Sequence, residues 1–196
     1  MSRKSSINAG VATSTNNKTT NFQAAVDNYL VGSVFVQTAS ATVANTITET
    51  TLVGTGTGSV TLPANFFAIG KSIKSEMWGT IANLVTPTIR LKAKLGAVTV
   101  IDTTAATMST ITGTNLFYTE GMISCRTTGA TGTVFGQGLV LYYTGVTGLA
   151  GLASPNTTTS TIDTTASQVF DITITWGTAN AANTITSTNF ILDCKI

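Results

Sequence analysis

Few side chains in this sequence have chemistry to offer. Histidine is absent, and eight Asp and Glu stand against ten Lys and Arg in 196 residues. Without an imidazole, the Ser/His/Asp and Cys/His nucleophile arrangements are excluded. A catalytic zinc site would need a carboxylate-rich cluster, and no spaced acidic cluster occurs. Glycoside hydrolysis takes two carboxylates, for which Asp163 and Asp171 are the nearest candidates. Asp163 opens an Asp-Thr-Thr turn and Asp171 alternates outward on its strand, so both read as turn-capping or solvated groups. Gly70-Lys71-Ser72 imitates the end of a phosphate-binding loop, but the glycine required six residues before the lysine is Asn65. Gly54, Gly56 and Gly58 read as a turn between strands. No catalytic, cofactor-binding or metal-ligating residue is predicted, no cofactor is implied, and the expectation is a protein that is not an enzyme.

Cys125 and Cys194 are the only cysteines. They read as small buried apolar residues, with a disulfide as the alternative in an oxidising compartment. Cys125 shares a face with Ile123, and Cys194 shares one with Phe190 and Leu192.

Composition points to the elements that carry these groups. Charged residues make up 9% of the chain, against roughly 25% in an average soluble domain. Thr supplies about a fifth of it, and this β-branched residue favours a half-exposed strand surface over a helix interior. A net charge of +2 provides no bulk attraction to nucleic acid. Met1 to Lys4 is mildly basic with no apolar run behind it, and Leu139–Tyr143 is far too short to span a bilayer. A soluble protein made without a signal, with no membrane contact, is expected.

From Ser33 onward, alternation with period two dominates. Ile89, Leu91, Ala93 and Leu95 face one way, with Thr88, Arg90, Lys92 and Lys94 opposite. Ile73, Met77 and Ile81 alternate with Lys74, Glu76, Trp78 and Thr80, and Phe170, Ile172, Ile174 and Trp176 with Asp171, Thr173 and Thr175. Further strands are predicted near 34–38, 49–54, 58–62, 97–101, 115–126, 133–143 and 185–195. Eight or more strands without a central helix predict a single all-β, two-sheet, jelly-roll-like sandwich over 34–196.

Residues 1–33 form a separate arm. After a polar stretch, Phe22, Ala25, Val26, Tyr29 and Leu30 fall at helical spacing, with Asn21 as N-cap and Gly32 as stop. One short amphipathic helix is not stable alone, so it must dock on its own domain or on a neighbouring subunit. The strand at 133–143 is apolar on both faces, with Phe135, Leu139, Leu141 and Tyr143 on one and Val134, Val140 and Tyr142 on the other. A strand apolar on both sides is covered on both sides, which predicts an oligomer, with Val134, Val140 and Tyr142 as interface candidates. Trp78 stands in the outward register as another interface anchor, although a register slip would bury it. Lys71, Lys74, Arg90, Lys92 and Lys94 hold five of the ten cations. Arg90, Lys92 and Lys94 form a candidate basic face for an anionic contact; the competing reading is the solvated face of two adjacent strands.

Several stretches resemble a family of phage-encoded jelly-roll virion proteins. They are Val60–Phe67 with Ile69–Ile73, the run at 86–96, Arg126–Gly138, Ile162–Gly177, and the closing segment from Asn183 to Leu192. The resemblance covers roughly residues 50–196 and consists of turns and strands, so it implies a fold and no chemistry. Relatives of this kind are decoration, head-fibre or tail-associated components, often trimeric. The resemblance implies a capsid decoration or cement protein in the virion, assembled in the host cytoplasm as a homotrimer. Its partners would be copies of itself and the major capsid protein or another virion protein, with the arm as the attachment segment. The alternative is a head-fibre or tail receptor-binding protein contacting a host glycan through loops 144–156 and 177–183. Those loops have few aromatic or charged side chains, which disfavours sugar binding.

Overall fold

A computed structural model describes residues 32–84 and 86–195. The stripe Phe22, Ala25, Val26, Tyr29 and Leu30 lies outside the described residues. No helix occurs among those residues, which contain fifteen strands. The first five are β1 (Gly32–Gln37), β2 (Ala41–Ala44), β3 (Thr50–Thr51), β4 (Gly56–Gly58) and β5 (Thr61–Leu62). Next come β6 (Ser72–Ala82), β7 (Thr88–Leu95), β8 (Val98–Asp102), β9 (Ala106–Thr107) and β10 (Asn115–Thr127). The last are β11 (Gly132–Tyr143), β12 (Leu149–Ala153), β13 (Ser160–Ile162), β14 (Gln168–Trp176) and β15 (Thr184–Lys195).

They form two antiparallel sheets packed as a sandwich. The larger sheet runs β12-β11-β10-β6-β15-β1-β4, with β13 beside β11 and β2 beside β15. The smaller runs β3-β14-β7-β8, with β5 beside β14 and β9 beside β7. β6 pairs with β15 in one sheet and β7 with β14 in the other. The segments β6–β7 and β14–β15 therefore lie side by side as they cross between layers, a nested pairing of jelly-roll type. β10, β11 and β12 then meander within the larger sheet.

Alternation creates the core. On β6, Ile73, Met77 and Ile81 are buried, and on β7, Ile89, Leu91, Ala93 and Leu95. Phe170 of the smaller sheet stacks on Phe190 of the larger at 6.0 Å and 12°, joining the layers. Each such Ile, Leu, Met or Phe side chain contributes about 1.5–3 kcal/mol when fully buried. Most polar groups that enter the core are satisfied, the Trp176 indole N–H being the buried side-chain atom left without a partner among the described residues. The register of β15 shifts between Ser187 and Asn189, where the Ser187 hydroxyl donates to Leu52 O at 2.6 Å and Gln37 Nε2 donates to Ser187 O at 3.1 Å.

Two local expectations need correction. Gly56–Gly58 is a strand against β1, and a Cβ at Gly56 would sit 2.2 Å from Val36 O, so glycine there allows a close backbone approach. Segment 144–156 is not all loop: Leu149–Ala153 forms β12 and continues the meander. β2, β9 and β13, two to four residues each, were not expected either. Cys125 and Cys194 are buried free thiols, and burial pushes both above the ordinary thiol range.

Candidate contact surface

The outward registers of β6, β10 and β11 meet in cross-strand rows on the larger sheet. Trp78 lies opposite Tyr118, and Tyr118 opposite Leu141, which faces Gly151 of β12. One row further on, Tyr143 pairs with Leu149. The Trp78 and Tyr118 rings are 4.3 Å apart at 41°. With Leu116 and Phe117 these residues line a groove of about 170 Å³. Trp78, Leu116, Tyr143 and Leu149 are exposed, Trp78 at 43% and Leu149 at 59%. Val146, at the tip of the β11–β12 hairpin, is 98% exposed and extends the apolar surface past the sheet end.

A charged network borders the groove one row along. Lys74 pairs with Glu76 at 3.1 Å and with Glu120 at 3.5 Å. The Tyr118 hydroxyl donates to Glu76 Oε1 at 3.1 Å and to Glu120. Burial first, then the two carboxylates it serves, push that phenol well above its usual range. Tyr118 is thus held by its hydroxyl while its ring packs against Trp78, and the aromatic pair is fixed before any ligand arrives.

The outer face of the smaller sheet is of another kind. Arg90 makes a two-pronged pair with Asp102, at 2.9 Å and 2.5 Å. Lys92 and Lys94 both reach Glu49, at 2.5 Å and 2.9 Å, and the Thr173 hydroxyl donates to the same carboxylate at 2.9 Å. The two ammonium groups pull Glu49 down to about 2, and Arg90 holds Asp102 below the usual carboxylate range. Thr51 donates to Asp171 at 2.6 Å, whose carboxyl is nonetheless raised by burial.

The structure redistributes the residues expected from sequence. Trp78 faces outward, as its register predicts. Val134, Val140 and Tyr142 do not: at 0%, 3% and 2% exposure they belong to the core, and the outward face of β11 is Phe135, Leu139, Leu141 and Tyr143. The reason is crowding. Between Val134 and Val140 the inner register is glycine, and a Cβ at Gly136 would lie 2.7 Å from Val100 Cγ1 and 2.9 Å from Ile101 Cγ1. The face with the smaller residues is the one that fits beneath β8.

The basic stretch is also divided. Lys74 stands on β6 in the larger sheet, whereas Arg90, Lys92 and Lys94 stand on β7 in the smaller one, so they do not form one patch. Lys71 is 6% exposed, with its ammonium 3.9 Å from the centre of the Phe66 ring. Asp163 caps its turn, accepting from Thr165 N at 2.8 Å and Thr165 Oγ1 at 2.6 Å. Leu116, Tyr118 and Leu149 were missed as surface residues. The signal for the first two was present, because an inner register of Phe117, Gly121, Ile123 and Cys125 on β10 leaves Leu116 and Tyr118 outside.

Among the described residues no group of three His, Cys, Asp or Glu could hold a metal ion, and no helix is long and apolar enough to cross a membrane. Comparison with family models, curated proteins and solved structures finds no match to this chain.

Proposed function

We propose that this protein is a structural component of a virion, most simply a capsid decoration protein, that assembles with copies of itself and with the particle through the outer face of its larger sheet. The observation that carries the assembly part is the exposed groove of Trp78, Leu116, Tyr118, Leu141, Tyr143 and Leu149. Large exposed apolar patches on a folded domain mark contact sites, and Trp and Tyr are the residues that anchor them. The virion part rests on the resemblance at residues 50–196. A non-enzymatic role accords with the surface carboxylates: Glu49, Glu76, Asp102 and Glu120 are committed to lysine, arginine or tyrosine partners.

The test is the mass of the full-length protein by light scattering at micromolar concentration, with labelled microscopy on purified particles. A defined oligomer, trimeric on this proposal, and label on the head are expected. A clean monomer mass and an unlabelled particle would remove the proposal.

One observation favours a second reading. Aromatic rings beside oriented carboxylates, as at Trp78, Tyr118, Glu76 and Glu120, also suit a pyranose ring, which would make this face the glycan contact of a receptor-binding protein. Trp78 is exposed and Trp176 is fully buried, so quenching or shift of the exposed tryptophan's fluorescence on titration with host-surface glycans distinguishes the two.

A further inference from the structure

The groove on the larger sheet has a candidate occupant in the chain itself. Residues 1–31 precede the described strands, and they contain the stripe Phe22, Ala25, Val26, Tyr29 and Leu30. We infer that the stripe of one copy seats in the Trp78–Tyr118–Leu141–Tyr143 groove of a neighbouring copy, so that each subunit donates an arm and receives one. This rests on the assembly reading above and names the partner of that surface.

Chain length decides between a neighbour's groove and the copy's own. Gly32 pairs with Cys194, and Cys194 with Ile73, so the arm enters at the start of β6, two strands away from it. Trp78 is five residues along β6, and the groove then extends over β10, β11 and β12. At about 3.3 Å per residue and 4.8 Å per strand, Trp78 is about 19 Å from Gly32 and the groove centre about 25 Å. In the helix that the sequence spacing predicts, residues 22–30 would be about 12 Å long. With one residue between Leu30 and Gly32, such a helix would bring its far end to Trp78 and leave its middle short of Leu141 and Tyr143. On that spacing the stripe would touch only the rim of its own groove, whereas a neighbour's arm has no such tether.

The chemistry matches as well. The stripe offers one aromatic ring at each end, Phe22 and Tyr29, with aliphatic Val26 and Leu30 between and beside them. The groove is apolar along its floor, and the two carboxylates on its border, Glu76 and Glu120, are both paired with Lys74. An arm given to the next copy is a head-to-tail contact, which closes into a ring when the rotation between copies allows it. Apolar burial at each of several equivalent sites makes such a ring stable although a single arm binds weakly.

The experiment co-expresses two differently tagged full-length chains, one carrying Tyr29→Cys and the other Tyr143→Cys, and oxidises the assembly mildly. The native Cys125 and Cys194 are buried and serve as the background in untouched protein. A mixed-tag disulfide is expected, at a level at least tenfold above that background. A second pair, Val26→Cys with Leu149→Cys, samples the groove one strand over. A defined oligomer without a mixed disulfide for either pair overturns the arm exchange and leaves the assembly reading intact. When Tyr29→Cys and Tyr143→Cys are placed in one chain and diluted with excess untagged protein, a disulfide within that chain also overturns it. A monomer mass overturns both.

Discussion

The two sheets share one core, yet their outer faces obey different rules. On the smaller sheet every cation of β7 has a partner: Arg90 has Asp102, and Lys92 and Lys94 share Glu49. That face is polar, internally paired and rich in threonine, and Val169 is the one large apolar side chain of β14 that it exposes. The larger sheet keeps its charges together around Lys74 and leaves Trp78, Leu116, Tyr143 and Leu149 in the open. Charge number does not separate the faces; the fate of the apolar side chains does. A face of satisfied ion pairs gains little on association, because each pair is already formed and must stay solvated or lose more. An apolar face gains about 25 cal/mol for every Å² removed from water.

The sharpest way to break this contrast is to charge the apolar face. Tyr143→Asp with Trp78→Ala is expected to weaken self-association at least 100-fold, seen as a shift to monomer in light scattering. Arg90→Ala with Lys92→Ala on the smaller sheet should leave the mass unchanged. An assembly lost through the second pair and kept through the first would invert the assignment of the faces.

Acid titration sharpens the comparison from the other side. Glu49 lies near 2 in the folded protein, below its ordinary value of 4.5. A depressed carboxylate contributes stability that is fully present above its unfolded pKa and is lost as pH falls through the folded one. Stability should therefore decline between about pH 4.5 and 2, and Glu49→Gln should flatten that decline. At neutral pH the substitution should cost about 1–2 kcal/mol once solvent screening of this partly exposed group is allowed for. An unchanged acid profile by chemical denaturation would show that Lys92 and Lys94 do not hold it.

Smaller effects remain on the same strand. Arg90→Lys keeps the charge but loses the two-pronged geometry on Asp102, and is expected to cost about 0.5–1 kcal/mol in urea unfolding. The thiols should report only the core: two react per chain after denaturation without reductant, and neither reacts readily in the folded protein. Loss of both thiols under those conditions would indicate a disulfide that the buried free cysteines do not form.

Much of the sandwich was legible because alternation is local. β7 begins and ends where its pattern does, at Thr88 and Leu95, and β6 and β14 extend the expected strands by one or two residues. Strands of two to four residues, such as β2, β9 and β13, have too few positions to show a period. β12 was hidden because Ala150, Gly151 and Ala153 carry no β-branched or aromatic signal, and only pairing with β11 makes them a strand. For Trp78 the sequence offered an outward register and a buried alternative, and the structure chose the first; the inward turn of Val134, Val140 and Tyr142 was not legible.

By itself the sequence determined the all-β class, the alternating registers of the long strands and the lack of any imidazole chemistry. These follow from residue type and from a period of two, which a strand expresses wherever it is placed. The tertiary structure alone decided which apolar face of β11 meets the core, because the approach of Val100 and Ile101 to Gly136 is a contact between distant segments. It also separated Lys74 from Arg90, Lys92 and Lys94, since the chain crosses from the larger sheet to the smaller between β6 and β7. And it brought Glu49 and Asp102 to the cations they neutralise, because an ion pair depends on distance in space, and sequence separation carries no record of it.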